Sequence, residues 1–558
     1  MTLLGTTVKL FSRGIRGIEG TLLGKALSLS GHDLEGLTLT FALHEGRLTF
    51  KDFKASAYGG EVEGAGTFVP SIAEGNLRLH IRRLHLGRLL AQLETRQGLP
   101  LPIPSQSQAS PLPMSAEVSL GMNRHGLSFR LKTQPFEAAE AATFTLGTTS
   151  QLPVKLLSGA ISAEVVGTLE GGGPKFSGTL SLEKVGVHPT WQRGQPLTFS
   201  FDIPFAFEDG LLEVPEFSLT VGDQVHIFLA GALSVGSKAG RVRSLALRLP
   251  PTETSSLQKA IAGLLPGALL DTHLSGGLEA RVEMLGDQVQ GEVRLEGVGT
   301  EGGIMTLKGV SGRIPLFQRL GVSSVVTGDG WPELSEQAFE VALQAVRQPS
   351  SSPSLTISSL SYAGFELEDL AVHFSSRAGP LAIDHFSFQG LGGSGRGRGV
   401  VEPFGGSLHL ALLVEGLSLR EICSRFPSIE GYIFGKVRGM LELSLPIFEP
   451  SQAIGRARFW AVKSEEEPRK VSKALIERLG GQSGGFSSLI ALRGDRSYDH
   501  GLLEVTLKDR LLTFHNLEIS NTVLFIKDLD IKVVPAYNTI PIQDLFDTIQ
   551  ETWKRVQP

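Results

Sequence analysis

The chain has 558 residues with 52 basic and 57 acidic side chains, a net charge of −5 and no clustered basic face, which argues against nucleic acid as a partner. Apolar residues make up 41% and charged residues only 20%, so the sequence carries more apolar surface than ordinary cores need. Its single cysteine, Cys423, excludes an intramolecular disulfide and a thiolate zinc site and reads as a small buried hydrophobe.

In chain order, residues 1–16 lack the continuous apolar stretch of a signal peptide, because Thr, Lys, Ser and Arg interrupt it. No membrane anchor is visible elsewhere, since the longest apolar run, 260–270, contains Gly and Pro and is too short to span a bilayer. Leu37 to Leu43 and Leu77 to Ile81 alternate apolar and polar residues and predict strands with one apolar face. A short helix is expected over 86–93, followed by a Pro/Ser-rich linker at 99–114. Strands dominate 115–347, among them Phe199 to Phe207, in which Pro204 marks an edge or bulge, and Phe339 to Leu343. Thr254 or Ser255 could cap a helix over Leu257, Ile261, Leu264 and Leu265. A Ser/Pro loop at 348–354 precedes the final segment, 355–558, with a helix expected from Pro468 to Leu479 and an amphipathic terminal helix from Gln543 to Val556. The domain reading is therefore 1–98, 99–114, 115–347, 348–354 and 355–558.

A repeat runs through these elements. Residues 41–70 recur without a gap 333 positions downstream: Phe41 falls on Phe374, Leu48 on Leu381, Phe50 on Ile383, Phe53 on Phe386, and Gly59, Gly60, Gly64 and Gly66 on Gly392, Gly393, Gly397 and Gly399. Weaker copies lie at an offset of 164, with Phe205, Gly210, Leu212, Val214 and Phe217, and at 464, with Val505, Leu507, Leu512, Phe514 and Leu517. Each unit reads as strand, acidic-Gly turn, strand, turn, strand, so the chain is all-β, built from repeated antiparallel meanders that suggest an elongated sheet with a few short capping helices.

No catalytic constellation emerges. Gly481 to Gly485 matches G-x-S-x-G around Ser483, but a helix precedes it and a strand-like run follows, the reverse of a nucleophile elbow. The histidines form no metal-ligand pair, and no Gly-Lys-Ser/Thr follows the glycines of 392–399, so neither metal, phosphate loop nor cofactor is expected.

The stretches Leu48 to Phe53, Tyr58 to Gly66, Gly435 to Leu443 and Leu511 to Leu517 resemble the repeat of the AsmA-like bacterial envelope proteins, their β-rich YdbH-like members above all. The resemblance implies a twisted, U-shaped β-groove in the periplasm of a Gram-negative-type envelope, carrying phospholipid acyl chains between inner and outer membranes on an apolar concave face, without enzymatic activity. It implies partners among inner- and outer-membrane proteins or a small lipoprotein joined by strand addition. The sequence departs from that family in lacking its usual N-terminal anchor. The expected groove residues are Phe41, Leu43, Leu48, Phe50, Phe205, Leu212, Phe374, Leu381, Ile383, Leu507, Leu512 and Phe514, for which ordinary core packing is the competing role. A second reading is a non-catalytic assembly scaffold that binds a protein through an open sheet edge.

Overall fold

The computed structural model describes residues 17–29, 32–85, 113–137, 143–146, 152–170, 173–189, 197–222, 224–234, 241–262, 272–301, 305–319, 330–346, 349, 352–362, 365–376, 381–402, 407–426, 429–446, 452–480, 494–523, 526–533 and 539–541. The expectations for residues 1–16, the helix at 86–93, most of the 99–114 linker, Ser483 and the terminal helix at 543–556 lie outside the described residues. Two units divide the chain: residues 1–252 with 256–266 and 283–286, and residues 253–255, 267–282 and 287–558.

The first unit is a ladder of antiparallel strands in chain order: β1 (Gly17–Leu29), β2 (His32–His44), β3 (Arg47–Ala57), β4 (Gly60–Val69), β5 (Glu74–His85), β6 (Pro113–Asn123) and β7 (Gly126–Thr133). Two short strands, β8 (Phe136–Glu137) and β9 (Thr143–Leu146), join β7 along the long β10 (Leu152–Glu170). The ladder continues through β11 (Gly173–Pro189), β12 (Leu197–Glu208), β13 (Leu211–Val221), β14 (Val225–Ser234) and β15 (Arg241–Glu253).

The second unit contains β16 (His273–Leu285) and repeats the plan with β17 (Gln288–Glu301), β18 (Met305–Arg319), β19 (Leu355–Tyr362), β20 (Phe365–Ser376), β21 (Leu381–Gly390), β22 (Gly393–Glu402) and β23 (Ser407–Ser418). After the two-residue β24 (Ile433–Phe434) come β25 (Lys436–Pro446), β26 (Ile454–Val462), β27 (Lys470–Val471), β28 (Arg496–Ser497), β29 (His500–Lys508), β30 (Leu511–Val523), β31 (Ile526–Val533) and β32 (Thr539–Pro541). The short β24, β27 and β28 form a separate small sheet. Among the described residues β1 pairs only with β2 and β31 only with β30, so these strands leave open edges. The all-β meander architecture is thus as the alternation predicts.

The repeat is structural as well as sequential. In β3, Lys51 is an extra residue between the pairs Thr40–Asp52 and Phe41–Phe50, and Asp384 occupies the same place between His373–His385 and Phe374–Ile383. His515 is the extra residue of the 464 copy, and the 164 copy carries its register shift between Val214 and Phe217. Each is a β-bulge, which bends and twists the strand that carries it. The turns repeat too: Glu45 and Gly46 have φ of 48° and 75°, and Asp209 and Gly210 have 51° and 76°, the two left-handed residues of a tight hairpin. Pro204 lies in the irregular stretch between Phe201 and Ala206, as its missing N–H requires.

Two helical expectations change. Phe339 to Leu343 is not a strand but part of the helix Glu336–Ala345, N-capped by the Ser335 hydroxyl, which accepts from Ala338 N at 3.1 Å. Phe339, Ala342 and Val346 fall on one helical face and are buried with Trp331 and Leu334 against Ala411, Leu413, Met440 and Trp460. The helix expected from Pro468 starts later, at Lys473–Gly480, because residues 470–471 pair as β27; Ser472 caps it, accepting from Leu475 N at 3.2 Å. Of the helix expected over Leu257, Ile261, Leu264 and Leu265, the structure forms Thr254–Ala260, which ends before Ile261; Leu264 and Leu265 lie outside the described residues.

Glycine is used to seat aromatic rings. A Cβ on Gly397 would stand 2.7 Å from the Phe386 ring and 2.3 Å from the Ala411 carbonyl oxygen, and one on Gly395 would lie 2.1 Å from the Phe388 ring. The same overlap occurs for Gly439 under Phe459, Gly178 under Phe205 and Gly167 under Phe129. Gly397→Ala is therefore expected to destabilise the second unit by about 1–3 kcal/mol through overpacking. Gly277→Ala, whose Cβ would meet nothing nearer than Glu296 Cβ at 3.8 Å, should be neutral or stabilising by about 0.5–1 kcal/mol. Denaturant titration of both variants checks the contrast; equal effects would mean that the rings do not need bare backbone beneath them.

Candidate functional site: an apolar sheet face and its caps

Side chains opposite one another in antiparallel pairs share a face, so the registers trace rows across each ladder. In the first unit one row crosses thirteen strands: Gly20, Phe41, Phe50, Gly66, Leu77, Leu120, Phe129, Gly167, Phe176, Phe207, Leu212, Leu233 and Val242. Every member is apolar or glycine. A second row, from Leu22 and Leu39 through Phe53 and Gly64 to Gly178 and Phe205, is apolar throughout as well. Leu43 and Leu48 face one another in the next row. The reverse face is mixed: Arg78, Ser119, Arg130, Ser177, Glu213 and Ser244 share one row with Ala65, Val166, Ala206 and Ala232.

The second unit has the same sorting. One row contains Phe374, Ile383, Gly399, Leu410, Leu443, Gly455, Leu507, Leu512 and Ile540. Its neighbour contains Leu295, Gly312, Leu355, Val372, Phe386, Gly397, Leu412, Leu441, Ala457, Val505 and Phe514, and Leu381 lies one row further out. All twelve expected groove residues thus lie on the apolar face of their own unit. Leu381 and Ile383 are buried and the other ten are half-buried. The face also includes large side chains that remain open to solvent, such as Met122 at 40%, Leu169 at 45% and Leu245 at 45%.

At one margin the apolar face of the second unit is covered. The helix Leu419–Ser424 brings Leu419 and Ile422 onto Val414, Leu417, Val437 and Phe459, while Ile476 and Tyr498 pack with Ile519 and Leu529. The buried carboxylate of Glu467 ties these caps together: it accepts from the Ser418 hydroxyl at 2.5 Å, Arg420 N at 3.1 Å and Gly435 N at 2.9 Å. Tyr498 donates to the Phe434 carbonyl at 2.9 Å, and burial raises its phenol pKa. Burial, with Glu467 nearby, pushes the Cys423 thiol up to about 11. No local pattern announces this latch, because its partners are 32 to 49 residues apart along the chain.

On the reverse face the segment 330–346 is clamped by arginines. Arg438 donates to Glu336 at 2.6 Å and Glu340 at 2.7 Å, Arg458 to the Leu334 carbonyl at 2.9 Å, and the Arg398 guanidinium stacks 5.1 Å from the Trp331 ring centre. Beside this segment lies a cleft of about 910 Å³, lined by apolar and charged side chains together. The paired rings of His373 and His385, 5.8 Å apart, are buried nearby; burial, then His373 and Arg396, lowers the pKa of His385. Among the described residues no three His, Cys, Asp or Glu side chains are grouped as a metal site, and no helix is long and apolar enough to cross a membrane. Comparison with family models, curated proteins and solved structures finds no match to this chain.

Two outcomes test the caps. Glu467→Ala leaves three donors without their charged acceptor, each such bond contributing about 1.5–3 kcal/mol; amide exchange at Arg420 and Gly435 should quicken at least tenfold while exchange in β25 and β26 holds. Cys423 is protonated at pH 8, so iodoacetamide should alkylate it slowly, at a rate that still climbs between pH 9 and pH 10. A plateau by pH 9 would show an ordinary exposed thiol.

Proposed function

We propose that the chain is a non-enzymatic lipid-transfer protein of the bridge type, whose apolar sheet faces shield phospholipid acyl chains as they pass between the inner and outer membranes of a bacterial envelope. The observation that carries this reading is the thirteen-strand row of apolar and glycine residues in the first unit. At a spacing of about 4.8 Å per strand it extends for roughly 55–60 Å without a polar side chain. An acyl methylene withdrawn from water gains about 0.8 kcal/mol, so two long chains crossing water bare would cost on the order of 20 kcal/mol. A continuous apolar floor removes that barrier step by step. The floor also needs no charged group: aromatic rings lying over glycine give a low, slippery relief along which a chain can move without meeting a hydrogen-bonding side chain.

A non-catalytic scaffold is the second reading, favoured by β1 and β31, each of which pairs on one side only among the described residues, an arrangement suited to a partner strand such as one from a small lipoprotein or a membrane protein.

Native mass spectrometry with lipid extraction, on the chain purified from a bacterial host, distinguishes the two. Lipid transfer requires bound phospholipid in the wild type, its loss in Phe41→Asp/Phe374→Asp with an unchanged circular-dichroism spectrum, and its retention in the reverse-face control Arg78→Asp. A wild type free of lipid would turn the assignment to the scaffold.

A further inference from the structure

The cleft on the reverse face of the second unit, lined by apolar and charged side chains together, lies away from the apolar floor, yet it is built in a way that a plain outer surface does not require. Across its floor one row runs Ala411, Glu442, Arg456 and Thr506 on β23, β25, β26 and β29, so that an ion pair stands between two small side chains, and Ser444 with Ile454 lies in the next row. The end wall is the terminus of the helix Glu336–Ala345, through Ala345 and Val346.

Two of the repeat's bulges open into this cleft. Asp384 and His515 are the extra residues of β21 and β30, and both are among its lining residues. Bulges commonly re-aim a side chain beside a working site. The counterpart in the first unit, Lys51, instead forms an exposed ion pair with Glu19 at 3.1 Å. His515 Nε2 is held 2.8 Å from Thr506 Oγ1, which turns the ring toward the floor.

Most of the ionised groups that line the cleft are engaged within the protein, Arg456 with Glu442 among them, and Lys508 stands exposed beside them. Both acidic groups are engaged within the protein: Glu442 receives the Trp331 N–H and the Arg456 Nε–H, and Asp384 accepts from Ser375 at 2.8 Å. Arg456 is fixed in place by a second bond, to the Trp331 carbonyl at 2.6 Å, with its side chain 44% exposed. Lys508 is exposed at the rim, and His409, Ser444 and Thr506 add donors toward the same space. Arginine and lysine beside hydroxyl and imidazole donors suit a group with several anionic oxygens. The volume exceeds what an inorganic ion fills, and Val346, Val400 and Ile454 offer the remainder an apolar wall.

We propose that this cleft binds a phosphate group carried by a small organic molecule, with Arg456 and Lys508 as the principal cationic contacts and His515 as a positioning donor. The site is independent of the acyl-chain reading, because it lies on the opposite face of the sheet.

The test uses the full chain in thermal-shift and calorimetric titrations with inorganic phosphate and with glycerol 3-phosphate, at fixed ionic strength and with chloride as the control anion. Both phosphates should raise the melting temperature, with glycerol 3-phosphate the tighter of the two. Lys508→Glu and His515→Ala, both at exposed positions, should fold normally and weaken binding at least tenfold, whereas Lys51→Glu at the matching bulge of the first unit should not. If inorganic phosphate alone binds, the site serves a free ion rather than a phosphorylated organic ligand and the ligand assignment fails. No shift, or a shift that all three variants retain, overturns the site.

Discussion

A phenylalanine ring laid across a glycine on the neighbouring strand is the contact on which both units depend. At Gly397 and Gly439 the space a Cβ would need is already filled by Phe386 and Phe459, so neither partner can change alone. This contact suits a sheet whose apolar side has no second sheet to bury it: a ring lying flat covers backbone that an upright side chain would leave wet, and it buries its own area against the sheet. Where the ring is absent, as at Gly64, Gly66 and Gly399, a leucine of the neighbouring strand, Leu79, Leu77 or Leu410, takes its place over the glycine.

The reverse face has a different economy. It carries exposed ion pairs, as between Arg248 and Glu216 or Arg319 and Asp287, and pairs of that kind add little to stability. They keep the face wetted and oppose its stacking on other sheets. Where the helix Glu336–Ala345 settles that face is dry, and there the arginines change role: Arg438 and Arg458 bond to the covering segment and lie against Phe339 and Trp460, with their stems contributing packing.

Much of this was legible in the sequence and some was not. Alternation identified strands, and the copies at offsets of 333, 164 and 464 identified the meander and supplied the twelve candidate residues, which the registers place on one face of their units. The helix at Glu336–Ala345 was misread because Phe-Glu-Val-Ala-Leu alternates well enough to pass for a strand; its face becomes evident only when Phe339, Ala342 and Val346 are taken together with the Ser335 cap. The start of the helix at Lys473 was misplaced because two residues of β27 pair with strands distant in sequence. The Glu467 latch and the reverse-face cleft depend on contacts across strands, and no local pattern encodes which rows meet.

The bulges show how register is written into such a chain. Leu48, Phe50 and Phe53 are separated by two and then three residues, and the same spacing recurs as Leu381, Ile383, Phe386 and as Leu212, Val214, Phe217. Strict alternation would send Phe53 to the polar face; the extra residue at Lys51 returns it to the apolar one. A one-residue slip exchanges the two faces of a strand, so a three-residue step between apolar positions has no place in a regular strand and demands a bulge. The step therefore fixes both the position of the bulge and the face to which the following residues belong. It also leaves two consecutive side chains on the polar side, Lys51 with Asp52 in one copy and Asp384 with His385 in the other. The device that keeps the apolar floor continuous thus concentrates polar groups behind it, and the reverse-face cleft is built where two such bulges approach the same floor.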